Sequence, residues 1–126
     1  MLGIGLDIVD RARMQRLLDR YGDAFVRRIC LAGEVRIASG PGQAAHVAGL
    51  FAAKEAAMKA LGTGWSAGVG FLQIEVWRNA SGAPALRLHG QARRRADALG
   101  VEDLWLSISH DGQSAVAVVV LEGVQP

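Results

Sequence analysis

The stretch Phe51-Ala52-Ala53-Lys54-Glu55-Ala56-Ala57-Met58-Lys59-Ala60-Leu61-Gly62-Thr63-Gly64 decides how the rest of the chain is read. Alanine, leucine, methionine, lysine and glutamate are all good helix formers. The helix is predicted to stop at Gly62, the residue type best suited to a left-handed C-cap. Followed backwards, the pattern extends to Gln43. A helix over 43–61 rises about 28 Å, enough to be the central packing element of a small domain. Within it, Glu55 and Lys59 stand one turn apart on a single stripe. Gly62 and Gly64 then form a loop beside that charged stripe. Carboxylate oxygens suit a hard cation such as Mg²⁺, and an ammonium suits phosphate oxygens. An ordinary exposed ion pair has the same spacing and contributes little to stability.

Composition narrows the possibilities. The chain has 126 residues, 51% of them apolar, which fits one compact domain spanning 1–126 with a real core. Its longest apolar runs fall well short of the roughly 20 residues that span a bilayer. No charged segment followed by a long apolar one opens the chain, so no secretory signal is expected. Cys30 is the only cysteine, which allows neither an internal disulfide nor a cysteine metal cluster. These features predict a cytoplasmic protein without a membrane association. Net charge is +2, but six arginines (Arg11, Arg13, Arg16, Arg20, Arg27, Arg28) face three aspartates between Asp10 and Arg28. Lys54 and Lys59 are the only lysines, and both lie in the opening stretch.

Outward from the helix, Met1 to Val9 reads as a strand, with Gly3 and Gly5 between apolar residues. Glycine inside a strand marks close approach of another backbone or of a ligand. Asp7 is the one charge in this run. Asp10 supplies the N-cap for the next helix, which leaves Asp7 free for another task. Arg11 to Tyr21 is predicted to be an amphipathic helix, with Met14, Leu17, Leu18 and Tyr21 facing the core. Arg13, Arg16 and Arg20 form either a solvated face or a docking surface for an acidic partner. Asp23 to Leu31 continues as a second helical piece, and a short helix is expected around Glu34 to Ala38. Glu34 reads as a surface carboxylate or a helix-start residue. His46 reads as exposed or capping.

Beyond the central helix, Trp65 to Gly70 is a loop. Phe71 to Arg78 alternates as a half-buried strand, and Ala85 to Leu88 returns after a turn to make a hairpin. Gly90 to Leu99 is a helix, its consecutive arginines Arg93, Arg94 and Arg95 read mostly as a solvated face. Asp103 to Ser109 is a strand, His110-Asp111-Gly112 a tight turn. Ser114 to Leu121 is apolar on both faces and is therefore placed centrally in its sheet. The sum is an α+β fold, an antiparallel sheet packed against the long central helix.

The residues also carry a resemblance. Gly3-Ile4-Gly5-Leu6-Asp7-Ile8-Val9, Phe51-Ala52-Ala53-Lys54-Glu55-Ala56 with Lys59-Ala60 and Gly62-Thr63-Gly64, and Ser107-Ile108-Ser109-His110 resemble holo-acyl-carrier-protein synthases, the small single-domain phosphopantetheinyl transferases. The likeness runs over nearly the whole chain. It implies transfer of the 4′-phosphopantetheine arm of coenzyme A to a serine of an apo acyl carrier protein, releasing adenosine 3′,5′-bisphosphate. It implies a cytoplasmic enzyme of fatty acid biosynthesis and a homotrimer with active sites between subunits. Asp7 and Glu55 match the family's carboxylates for Mg²⁺, with Mn²⁺ an alternative. Lys59 matches the lysine on the pyrophosphate. Ser109 and His110 match the positions at the coenzyme A phosphates, Gly62 and Gly64 the loop near the cofactor, and Pro84 the hairpin turn near the nucleotide. Arg13, Leu17 and Arg20 match the first-helix positions that dock the carrier protein.

One departure stands out: the family has arginine where this chain has Leu50, so a substitute basic group is expected, from Arg36 or from a neighbouring subunit. Two other readings compete. One is a relative that binds coenzyme A with weak or specialised carrier activity. The other is a basic RNA-binding module, supported by the arginine clusters but opposed by the modest charge and by aromatics that do not sit among the arginines. No nucleic acid is therefore expected as partner.

Overall fold

The computed structural model describes residues 1–35, 42–64 and 66–125. Arg36, the expected remainder of the short helix, and Trp65 lie outside the described residues. The elements run β1 (Gly3–Asp10), α1 (Arg11–Tyr21), α2 (Asp23–Ile29), α3 (Ala32–Val35), α4 (Gln43–Leu61), β2 (Ile74–Arg78), β3 (Pro84–Leu88), α5 (Gly90–Leu99), β4 (Val101–His110) and β5 (Ser114–Gly123). The expected α+β architecture is present, with α4 as its centre.

The strands form two sheets rather than one. β1, β5 and β4 make an antiparallel sheet with β5 in the middle, as its two apolar faces predict, and β2 with β3 makes a separate hairpin. The first part of the expected strand from Phe71 is instead a 3₁₀ turn at Phe71–Gln73, which leaves Leu72 exposed.

α4 is buried on nearly all sides, from Ala44 to Leu61, and this accounts for its alanine content. It lies on β1 at backbone contact. A Cβ at Gly5 would overlap the carbonyl oxygen of Ala56, and one at Gly3 that of Ala60. The two strand glycines therefore serve a helix, not a ligand. Beneath the helix, β5 contributes Ala115, Ala117, Val119 and Leu121, all buried. α4 ends at Gly62 in a left-handed conformation, φ 74°. Arg95 of α5 donates from Nε to the Leu61 carbonyl at 2.9 Å, so this arginine closes the helix end instead of joining a solvated face.

Asp10 caps α1 through Ala12 N–H, as expected. Met14 and Leu18 are buried and Leu17 is half-buried, but Tyr21 is exposed. It sits at the last position of α1, at the rim of an open cleft, with the Arg20 guanidinium 5.4 Å from its ring.

Glu34 is neither at the surface nor merely a helix-start residue. It is buried and bound to Lys54 at 2.7 Å. The Lys54 ammonium also donates to the carbonyls of Ile29 and Phe71, and Glu34 accepts from the N–H groups of Leu31 and Val76. This network ties α2, α3, α4 and the β2 edge together, so Lys54 belongs to the framework.

Candidate active site

β1 presents alternate residues to α4: Gly3, Gly5, Asp7 and Val9. The two glycines bring the strand onto the helix backbone. Asp7, next on the same face, then meets a helix side chain. Lys59 donates to the Asp7 carboxylate at 2.9 Å and to the Leu6 carbonyl at 2.9 Å. Glu55 is half-buried one turn before Lys59 on the same helix. Asp7 and Lys59, 52 positions apart in sequence, thus meet where β1 crosses α4, with Glu55 one turn earlier on the helix. The Lys59 side chain is half exposed and Asp7 is mostly covered, so the ion pair faces solvent on one side.

The donor atoms fit a hard divalent cation. A backbone carbonyl and a carboxylate already converge on an ammonium, and a second carboxylate stands one turn away; oxygen donors of this kind suit Mg²⁺ or Mn²⁺. Asp7 and Glu55 are the residues that would hold the ion.

His110 lies elsewhere. It ends β4 on the face toward α4, and a Cβ on Gly49 would be 2.8 Å from its Nε2, so glycine at 49 makes room for the imidazole. Ten residues separate Gly49 from Lys59 along α4, about 15 Å of helix. Ser109 and His110 point to opposite faces of the sheet: Ser109 pairs with Val116 on the outer face, His110 with Ala115 on the inner one. Gly62 and Gly64 follow the helix end with positive φ, and Pro84 starts β3 opposite Arg78. Along α4, His110 thus meets the helix at Gly49, before the turns that carry Glu55 and Lys59.

Two clefts open on the surface, the smaller of them at His110. One, of about 640 Å³, lies between α1, α2 and α4. Arg13 and Leu17 line it, joined by Phe25, Arg28, Phe51 and Phe71. Arg20 is not among its lining residues. The other, of about 330 Å³, holds His46, Leu50, Arg78 and His110. His46 is half-buried rather than exposed, and its Nε2 is fully buried without a hydrogen-bond partner among the described residues. Burial, then Arg78, then His110 hold its pKa below the ordinary 6.5, with Glu34 opposing.

The outer face of the larger sheet is apolar and open. Ile4, Leu6, Ile8 and Trp105 are 56%, 60%, 68% and 55% exposed, with Val116, Val118 and Val120 between them. No helix among the described residues is long and apolar enough to cross a membrane.

Comparison with known proteins adds identity to this geometry. Residues 3–119 match the 4′-phosphopantetheinyl transferase superfamily. The chain is 51% identical to a holo-[acyl-carrier-protein] synthase of Solidesulfovibrio magneticus, over 96% of this chain and 98% of the relative. It is 48% identical to one from Halorhodospira halophila, over 94% and 95%. Among solved structures it resembles the Helicobacter pylori holo-[acyl-carrier-protein] synthase in complex with coenzyme A, with TM-score 0.83, 34% identity and coverage of 94% and 99%. The Neisseria meningitidis synthase gives TM-score 0.88 at 33% identity, covering 97% and 98%.

Proposed function

This chain belongs to the 4′-phosphopantetheinyl transferase superfamily and is an enzyme of the holo-[acyl-carrier-protein] synthase type, and from that premise we propose how its own residues act. The substrate pair is coenzyme A and an apo acyl carrier protein of fatty acid biosynthesis, in the cytoplasm. The carrier serine oxygen attacks the pantetheine-side phosphorus of the pyrophosphate. A new P–O bond forms there, the P–O bond to the nucleotide breaks, and adenosine 3′,5′-bisphosphate leaves with the electron pair. The hydroxyl proton passes to water.

The observation that carries this reading is the Asp7–Lys59 contact beside Glu55. Such a transfer needs alignment and positive charge on the phosphate oxygens more than covalent help. Lys59 supplies that charge, and its bond to Asp7 holds the ammonium in place before substrate arrives. Mg²⁺, held by Asp7 and Glu55, would neutralise charge on the pyrophosphate. Gly62 and Gly64 leave the loop after the helix without side chains near the cofactor. The test is direct: with Mg²⁺ and coenzyme A, an apo carrier protein gains the mass of the phosphopantetheine arm, and omission of the metal stops the gain.

Arg13, Leu17 and Arg20 form the docking face for the acidic carrier. Arg13 and Leu17 border the larger cleft, whose lining of Phe25, Phe51 and Phe71 adds an apolar seat beside Arg13. Reversing charge at both arginines (R13E, R20E) is expected to raise the carrier KM by about tenfold or more while the KM for coenzyme A changes little. Equal changes in both constants would remove the docking assignment.

We place the active site between subunits of a homotrimer. The open apolar face of the larger sheet supports this. Large exposed apolar patches mark interaction surfaces. L6K is expected to convert a trimer in analytical ultracentrifugation to monomer and to lower transfer with it. A wild-type chain that sediments as monomer at full activity would refute the shared site.

A further inference from the structure

We infer that Arg95 is a positioning residue for the transfer: from α5 it fixes the last turn of α4, and with it the aim of Lys59 and the path of the glycine loop. This rests on Lys59 and that loop serving coenzyme A, as proposed above. Arg95 lies 34 positions beyond Leu61, and its Nε–H donates to the Leu61 carbonyl at 2.9 Å. Its guanidinium also borders Gly62, where an added Cβ would stand 3.5 Å from a terminal nitrogen. Lys59 is two residues before Leu61, in the same turn.

Capping alone does not account for this arginine. The last turn is already closed by its own backbone: Gly62 N–H donates to the Lys59 carbonyl at 3.1 Å and Thr63 N–H to that of Met58 at 3.2 Å. Beyond it stand two glycines in left-handed conformation, φ 74° at Gly62 and 52° at Gly64, with open space around Gly64. Glycine has wide conformational freedom, so the direction of this loop has to be set from outside. Arg95 sets it at the point where the loop leaves the helix.

Helix α5 can hold that point because it is itself anchored. Ala92 and Ala96 are buried. The Gln73 side chain accepts from Ala92 N–H at 2.9 Å, in the first turn of α5, and donates to the Gly68 carbonyl at 2.7 Å. The Gln73 carbonyl accepts from His89 N–H at 2.8 Å, just before α5 begins. One helix is thus tied both to the end of α4 and to the chain that follows the glycine loop. Arg95 itself is exposed, so the fold draws little stability from its side chain.

Kinetics of wild type, R95M and R95Q decide the matter. Methionine follows the course of the side chain but places a methyl where Nε stands. Glutamine places an amide nitrogen there and keeps the donor without the charge. R95M is expected to lose about tenfold in kcat/KM for coenzyme A, an effect within reach of a small misalignment. Its KM for the carrier protein and its melting temperature are expected to stay close to wild type. R95Q is expected to recover most of the loss.

R95M with unchanged kcat/KM, R95Q as slow as R95M, or a rise shared equally by both KM values would each overturn the inference while leaving the transferase reading intact. A wild type that transfers nothing would remove both. If R95M does not fold, NMR of the wild type decides: the Arg95 Nε–H signal must exchange slowly and must shift when coenzyme A is added, and an unmoved signal refutes the assignment.

Discussion

E55Q is expected to lower the rate of carrier modification by about a hundred- to a thousandfold, the magnitude seen when one charge-stabilising group of a transfer site is removed. Glutamine keeps the shape and one oxygen of Glu55 but not its charge. On the proposed reading a divalent ion loses one of two anionic ligands, and raising Mg²⁺ should restore part of the rate. Unfolding should change little, because Glu55 is only half-buried. D7N should lose a comparable amount for two reasons. It removes the other anionic ligand and weakens the 2.9 Å bond that holds Lys59 in place. Initial rates against Mg²⁺ concentration check both variants. A full-rate E55Q enzyme would mean that the carboxylate has no part in metal binding or transfer.

The other large effect is on stability. E34A is expected to lower the unfolding free energy by about 3–5 kcal/mol, because it leaves a buried ammonium without its counter-charge. Lys54 is fully buried and would keep only the carbonyls of Ile29 and Phe71. The N–H groups of Leu31 and Val76 would lose their acceptor as well. E34Q should be milder, since its amide oxygen still accepts. Urea unfolding of the three proteins measures the order. An E34A protein as stable as wild type would show that the network contributes nothing to the fold.

These two carboxylates show what sequence can reveal. The position of Glu55 is legible because helical spacing places it one turn from Lys59 on α4. Glu34 is not, since its partner is twenty positions away and its burial comes from α2, α4 and β2 closing over it. Lys54 adjoins Glu55 in sequence yet points into the framework. Successive helix residues differ by about 100° in direction, so adjacency does not imply a shared role.

The same division holds for the fold. Helix α4 and its stop at Gly62 follow from local propensity and backbone freedom, and the central place of β5 follows from its two apolar faces. Gly3 and Gly5 announced a close approach, but only the packed structure identifies α4 as the partner. The division into two sheets depends on long-range pairing that no local pattern encodes. The basic cluster of His46, Arg78 and His110 belongs to the same category. Its members come from a helix and two strands far apart in sequence, and their proximity arises only when those elements pack. Periodicity and propensity are properties of neighbouring residues, so the sequence alone determined most of the elements, though not the 3₁₀ turn at Phe71–Gln73. Which charges meet, as Glu34 and Lys54 do in the interior, depended on tertiary packing.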